Sequence, residues 1–196
     1  MKKLIKLLLV VAISISALNG ANGVKVFDLK EQIFDDLEAT QIQTYKVENA
    51  LVKLKLEYKQ KGYFNTSNKG SSYVYIKSDK ELKNWLIDED MWIFTSILEP
   101  RTIKIYSNNN KIFTISFKGT SIEINDFKYI IKARNMPYNI KIVKLNNIIK
   151  LYIDEIQVYA TQTKFDKFIK MEQTLFATTN GDGCDDLYNL KLWEIK

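Results

Sequence analysis

The chain has 196 residues, 46% of them hydrophobic, 12% aromatic and 27% charged, which supplies one packed core and excludes both a disordered chain and a multidomain assembly. It contains no histidine and one cysteine, Cys184, so Ser-His-Asp and Cys-His chemistry, histidine-ligated metals and an internal disulfide are excluded. The formal charge of +6, from 29 basic and 23 acidic residues, taken alone suggests an anionic partner.

Residues 1–23, MKKLIKLLLVVAISISALNGANG, open with Lys2, Lys3 and Lys6, continue in an uncharged apolar run from Leu7 to Leu18, and end on Ala21, Asn22 and Gly23. That order is the layout of a cleaved secretory signal, and the apolar run is shorter than the roughly 20 residues that span a bilayer. The expectation is an exported protein, periplasmic, at the cell surface or secreted, that meets a membrane only during export. Loss of the segment removes three lysines and lowers the charge to about +3. The remaining lysines, such as Lys141, Lys144 and Lys150, alternate with apolar residues, and arginine occurs only at Arg101 and Arg134. A solvated sheet face is therefore expected, and no nucleic-acid partner.

From Asp28 to about Asn49, Leu29, Ile33, Leu37, Ile42 and Tyr45 recur at helical spacing among acids and glutamines, which predicts an amphipathic helical extension over residues 24–49. The stretch from Leu51 to Tyr58 alternates as a strand. Beyond Gly62 the period becomes two, with turn residues between short runs rich in β-branched and aromatic side chains, the pattern of an all-β domain over residues 50–196. The expected strands are Ser72–Lys77, Met91–Leu98, Thr102–Ser107, Lys111–Lys118, Phe127–Ala133, Tyr138–Leu145, Ile148–Asp154, Ile156–Thr161 and Leu187–Ile195. Asn108-Asn109-Asn110 and Asn146-Asn147 mark hairpin turns, because asparagine tolerates positive φ better than any residue but glycine.

Four of these pieces, in this order, resemble the laminin-G-like, concanavalin A-like jelly roll. They are the strand opened by Leu51-Val52, the stretch Gly70-Ser71-Ser72-Tyr73-Val74-Tyr75-Ile76, the aromatic strand from Met91 to Leu98, and the hairpin from Tyr138 to Val158. The hairpin is the most specific, since Leu151-Tyr152-Ile153-Asp154 is similar to the family's leucine, tyrosine, apolar, aspartate, glycine sequence. Glu155 replaces that glycine, and Tyr138 replaces the family's tryptophan at the start of the hairpin. The closing stretch from Asp185 to Trp193 is similar to the family's last strand. The resemblance implies an antiparallel jelly-roll β-sandwich over about residues 50–196.

Glucanases of that superfamily carry Glu-x-Asp on one strand, so that alternate carboxylates share a cleft. No glutamate here has an aspartate two positions later. Asp88 and Asp90 are placed in a loop before the Met91 strand, as solvated charge, and no catalytic residue is assigned. Asn180, Asp182 and Asp185, in a run made flexible by two glycines, are the candidate calcium ligands, with a plain turn as the other reading. The resemblance adds that laminin-G-like modules often bind calcium at a sandwich rim. Trp92 and Trp193 read as packing, whereas Trp85, in the polar segment Lys80–Asp90, is the candidate ligand contact. Cys184 is a buried thiol, an exposed one, or a link between chains.

These readings combine into an exported, non-catalytic binding module that recognises a glycan or an envelope or extracellular protein through its sandwich loops. The alternative is a structural or assembly component of the cell envelope that docks a partner through the N-terminal helix. A glycan hydrolase ranks third.

Overall fold

The computed structural model describes residues 23–28, 43–47, 50–55, 58–60, 63–65, 71–92, 100–132, 134, 136–176 and 186–196, and every regular element among them is a strand. The strands form two antiparallel sheets. Sheet A runs in the order β14 (Ile156–Gln162), β13 (Ile148–Ile153), β12 (Tyr138–Leu145), β7 (Trp85–Trp92), β16 (Asp186–Ile195), β5 (Tyr63–Asn65) and β4 (Tyr58–Gln60), and β1 (Gly23–Asp28) also pairs with β16. Sheet B runs β11 (Phe127–Ile130), β10 (Ser121–Ile124), β9 (Ile112–Lys118), β8 (Arg101–Ser107), β15 (Phe168–Phe176), β6 (Ser71–Leu82), β3 (Ala50–Lys55) and β2 (Gln43–Val47). Two meanders, β8 to β11 and β12 to β14, supply the local pairing, while β6–β7–β8 and β14–β15–β16 cross from sheet to sheet.

Period-two alternation makes the layers. Along β8, Arg101, Ile103, Ile105 and Ser107 are buried and the residues between them are not. The facing residues of sheet A include Trp85, Ile87, Met91, Ile140, Ile142 and Leu151, and together the two inner faces form one core. Each such aliphatic or aromatic side chain withdrawn from water contributes about 1.5–3 kcal/mol. A second, small cluster of Val143, Tyr152 and Ile195, flanked by Leu86 and Leu145, lies on the outer face of sheet A.

The turns follow the asparagines. Asn110, Asn125 and Asn146 take φ of 59°, 50° and 52°, the left-handed region that this side chain tolerates. The turn between β13 and β14 has positive φ at both Asp154 (49°) and Glu155 (65°), so the two-residue hairpin forms without the family's glycine. Glu155 holds its carboxylate on the Lys141 ammonium, and Arg134 holds Asp154.

Several expectations change. Gly23–Asp28 and Gln43–Val47 are strands of the sandwich, where a helix was expected over 24–49. The Ile42 and Tyr45 spacing extended a helical pattern across Thr44, Tyr45 and Val47, residues that suit a pleated surface. Residues 29–42, 48 and 49, the rest of that helix, and residues 1–22, most of the expected signal, lie outside the described residues. Of the strand expected at Met91–Leu98, Met91 and Trp92 are the end of β7, which begins at Trp85, and residues 93–98 lie outside the described residues. β15 was not expected at all, because Lys170, Glu172 and Gln173 mask a strand that sits inside sheet B, where its Phe168, Met171 and Gln173 are buried. The strands Thr102–Ser107, Lys111–Lys118, Tyr138–Leu145, Ile148–Asp154 and Ile156–Thr161 are present within a residue or so of their expected ends.

Candidate functional site

β7 lies inside sheet A, between β12 and β16, and its alternation decides what reaches solvent. Trp85, Ile87, Glu89 and Met91 point into the core, leaving Leu86, Asp88 and Asp90 on the outer face. Asp88 and Asp90 are therefore not loop charges. They project side by side from one strand, about 7 Å apart along it. Asn139, opposite Asp90 on β12, donates its Nδ2 to Asp88 Oδ1 at 3.0 Å and to Asp90 Oδ1 at 2.8 Å. Its Oδ1 is shielded from solvent and has no protein partner.

The register extends this cluster into three rungs across the outer face. The middle rung aligns Tyr152, Lys141, Asp88 and Lys191. On one side lies Asn139 with Asp90, and Tyr188 is the residue of β16 opposite Asp90. On the other side Val143, Leu86 and Trp193 align, an apolar row in which Trp193 is half-buried. A polar row thus adjoins an apolar one.

A chain of contacts ties this face to the sandwich rim. Arg134, between β11 and β12, forks onto Asp154, with Nη1–Oδ2 2.5 Å and Nη2–Oδ1 2.9 Å. Two further donors, Nε and Nη2, go to the carbonyls of Met136 and Pro137, and its guanidinium lies 3.9 Å from the Tyr138 ring centroid. Asp154 Oδ1 accepts the Asn139 backbone N–H at 3.1 Å, and the Asp154 N–H donates to the Asn139 carbonyl at 2.8 Å. Asn139 is thereby fixed in backbone as well as side chain. The neighbouring rim cleft, about 330 Å³ and lined by residues including Tyr129, Ile130 and Ile156, has its Arg134 and Asp154 already committed to each other.

Behind the face, Glu89 is fully buried. Its Oε2 accepts from Gln173 Nε2 at 3.1 Å and lies 4.0 Å from Arg101 Nη2, while its Oε1 has no protein partner. Burial pushes its carboxyl up to about 7, against the pull of Arg101 and the Gln173 hydrogen bond. This polar tie between the sheets was not legible in the acidic run Asp88-Glu89-Asp90, because a charged triplet reads as solvent-exposed. The alternation of β7, once its true start at Trp85 is known, would have placed Glu89 inward.

The expected ligand contact, Trp85, is 0% exposed. It packs against Phe165 and Phe168 at ring-centroid distances of 6.0 and 5.7 Å, so it belongs to the core. Its polar sequence neighbours concealed this, since they point away from it on the same strand. Asn180, Asp182, Asp185 and Cys184 lie outside the described residues. Among the described residues, no group of three or more aspartate, glutamate, cysteine or histidine side chains converges as a metal site.

No family model matches the sequence, and no curated protein is similar to it. Solved structures are similar. The carbohydrate recognition domain of Emp46p superposes with a TM-score of 0.58 over 88% of this chain and 96% of its own, at 12% identity. The β-glucanase of Bacillus licheniformis does so with a TM-score of 0.55 over 89% of this chain and all of its own (100%), at 13% identity. The endo-β-1,3-glucanase of Pyrococcus furiosus gives 0.53 over 78% of each chain, at 14% identity. At such identities the likeness concerns architecture alone, and it agrees with the two antiparallel sheets and their crossing strands: the chain has the concanavalin A-like lectin/glucanase jelly-roll fold.

Proposed function

We propose that the protein is a non-catalytic glycan-binding module that holds a neutral sugar on the outer face of sheet A. The observation that carries this reading is the Asp88–Asn139–Asp90 bridge. Three planar polar groups held in a fixed array suit the paired hydroxyls of a sugar ring, and the Trp193–Leu86 row beside them suits its apolar face. Binding thus moves from the rim loops, where it was expected, to the strand face, because the rim's Arg134 and Asp154 are used internally. The residues at the N-terminus support export ahead of this role.

Two carboxylates on one face of an inner strand also favour a hydrolase, which needs such a pair close together. Against it, the Asn139 amide fills the space between the two carboxylates, where a scissile oxygen would have to sit. A neutral-glycan panel tested by affinity electrophoresis decides the matter. Asn139→Ala is expected to weaken binding at least about tenfold, as loss of hydrogen bonds involving charged groups does. Binding unchanged in that variant refutes the site. Turnover of any glycan that disappears in Asp88→Asn or Asp90→Asn refutes the non-catalytic reading.

A further inference from the structure

The opposite side of the sandwich gathers a different chemistry. On the outer face of sheet B, Lys170 of β15 sits between two tyrosines from the flanking strands, its Nζ 4.2 Å from the Tyr106 ring centroid and 5.6 Å from that of Tyr75. Glu172 accepts from Lys170 at 2.8 Å and from the Tyr106 hydroxyl at 2.6 Å. Against the opposing effect of its burial, the hydrogen bonds from Lys170 and Tyr106, with the charges of Lys170 and Lys104, hold the Glu172 carboxyl below its usual range. Register aligns Lys77 and Tyr106 with Lys170, and Tyr75 and Lys104 with Glu172, and the side chains of Lys77 and Lys104 are exposed. β3 continues the pattern by setting Lys53 opposite Tyr75 and Lys55 opposite Tyr73. Lys77, Lys104 and Lys170 thus share one face of sheet B, where Glu172 offsets part of their charge, while Glu123 on the same sheet is paired with Lys118 and Lys128.

We propose that this outer face of sheet B is a second binding surface, for a linear acidic polysaccharide with a carboxylate on its sugar units. Lysine ammonium groups are compact point charges that match carboxylates spaced along a polymer, and a rigid pleated face holds them in rows. Thr102, Thr114 and Ser116 border the lysines on β8 and β9 and supply hydroxyls of the kind sugar rings bond to. Nucleic acid is disfavoured by two features. The tyrosine faces that would stack bases are occupied by the Lys170 ammonium, and the arginines that would fork onto phosphates are elsewhere, Arg101 in the core and Arg134 at the rim. The surface is independent of the neutral-sugar face, which lies across the sandwich.

Polygalacturonate and its fully methyl-esterified form serve as probes, since they share a backbone and differ in charge. The purified protein is expected to bind the free acid at low salt, to lose most of that binding at about 0.5 M NaCl, and not to bind the ester. Lys77→Glu with Lys104→Glu should weaken binding by about tenfold or more, with an unchanged circular dichroism spectrum and melting curve to show that the fold is kept. Asn139→Ala should bind the polymer as the parent does. No binding of the free acid at low salt, equal binding of the ester, or indifference to the double reversal overturns the proposal. So does loss of polymer binding in Asn139→Ala, which would move the polymer to sheet A, or tighter binding of single-stranded DNA than of polygalacturonate.

Discussion

Glu89→Gln tests the least ordinary feature of the interior. The Glu89 carboxyl is raised from 4.5 to about 7 by burial, so it binds its proton more tightly in the folded protein than in the unfolded one. Its contribution to stability is therefore greatest below pH 4.5 and is lost as pH rises through 7. At 1.36 kcal/mol per pKa unit the loss is about 3 kcal/mol, a sizeable part of a typical domain's stability. A glutamine at this position mimics the protonated acid and does not titrate. Urea unfolding of both proteins between pH 4.5 and pH 8 should show nearly equal stability at the acid end and an advantage to Glu89→Gln that grows to about 3 kcal/mol at pH 8. The opposite sign is physically available, because removing one partner of a buried ion pair can cost about 3–5 kcal/mol. A variant that is less stable than the parent at pH 8 would mean that the attraction of Arg101 outweighs the burial of Glu89, and would refute this reasoning.

Glu155 occupies a left-handed turn position that costs a residue with a Cβ about 1–2 kcal/mol. Glu155→Gly relieves that cost, less the glycine's entropy and the exposed Lys141 pair, and should stabilise the protein by about 0.5–1 kcal/mol in chemical denaturation; a less stable variant would show that the Lys141 contact decides the turn. Arg134→Ala removes the fork onto Asp154 and should cost about 1 kcal/mol while weakening neutral-glycan binding through the freed Asn139 backbone. If binding is unaffected in that variant, the rim does not position the site.

The legible parts of the fold were those where one side of a strand meets solvent. β8, β9, β12, β13 and β14 announce themselves through alternation, and Asn110 and Asn146 mark turns that form as expected. The illegible parts are strands whose inner face carries polar groups. β7 hides behind Asp88, Glu89 and Asp90, and β15 behind Lys170, Glu172 and Gln173, because a period-two reading takes charge as a sign of solvent. The same cause misled the reading of Trp85. Trp85 looked exposed among lysines and acids, yet it faces the core on a strand whose alternate residues are the charged ones. Asn139 carried no signal of its own, since its hydrogen bonds go to a partner strand about fifty positions away in sequence.

The position of β16 has a consequence for how the chain can fold. It lies between β7 and β5 and also pairs with β1, so the last strand of the sequence holds both the middle of sheet A and its first strand. A nascent chain lacking residues 186–195 has no partner for one side of β7, and β1 has nothing to pair with. Closing sheet A therefore requires residues 186–195, and pairing of such distant segments is slow. Cutting away residues 186–195 alone should abolish the sandwich as a whole, because β7 and β1 then lose a shared partner.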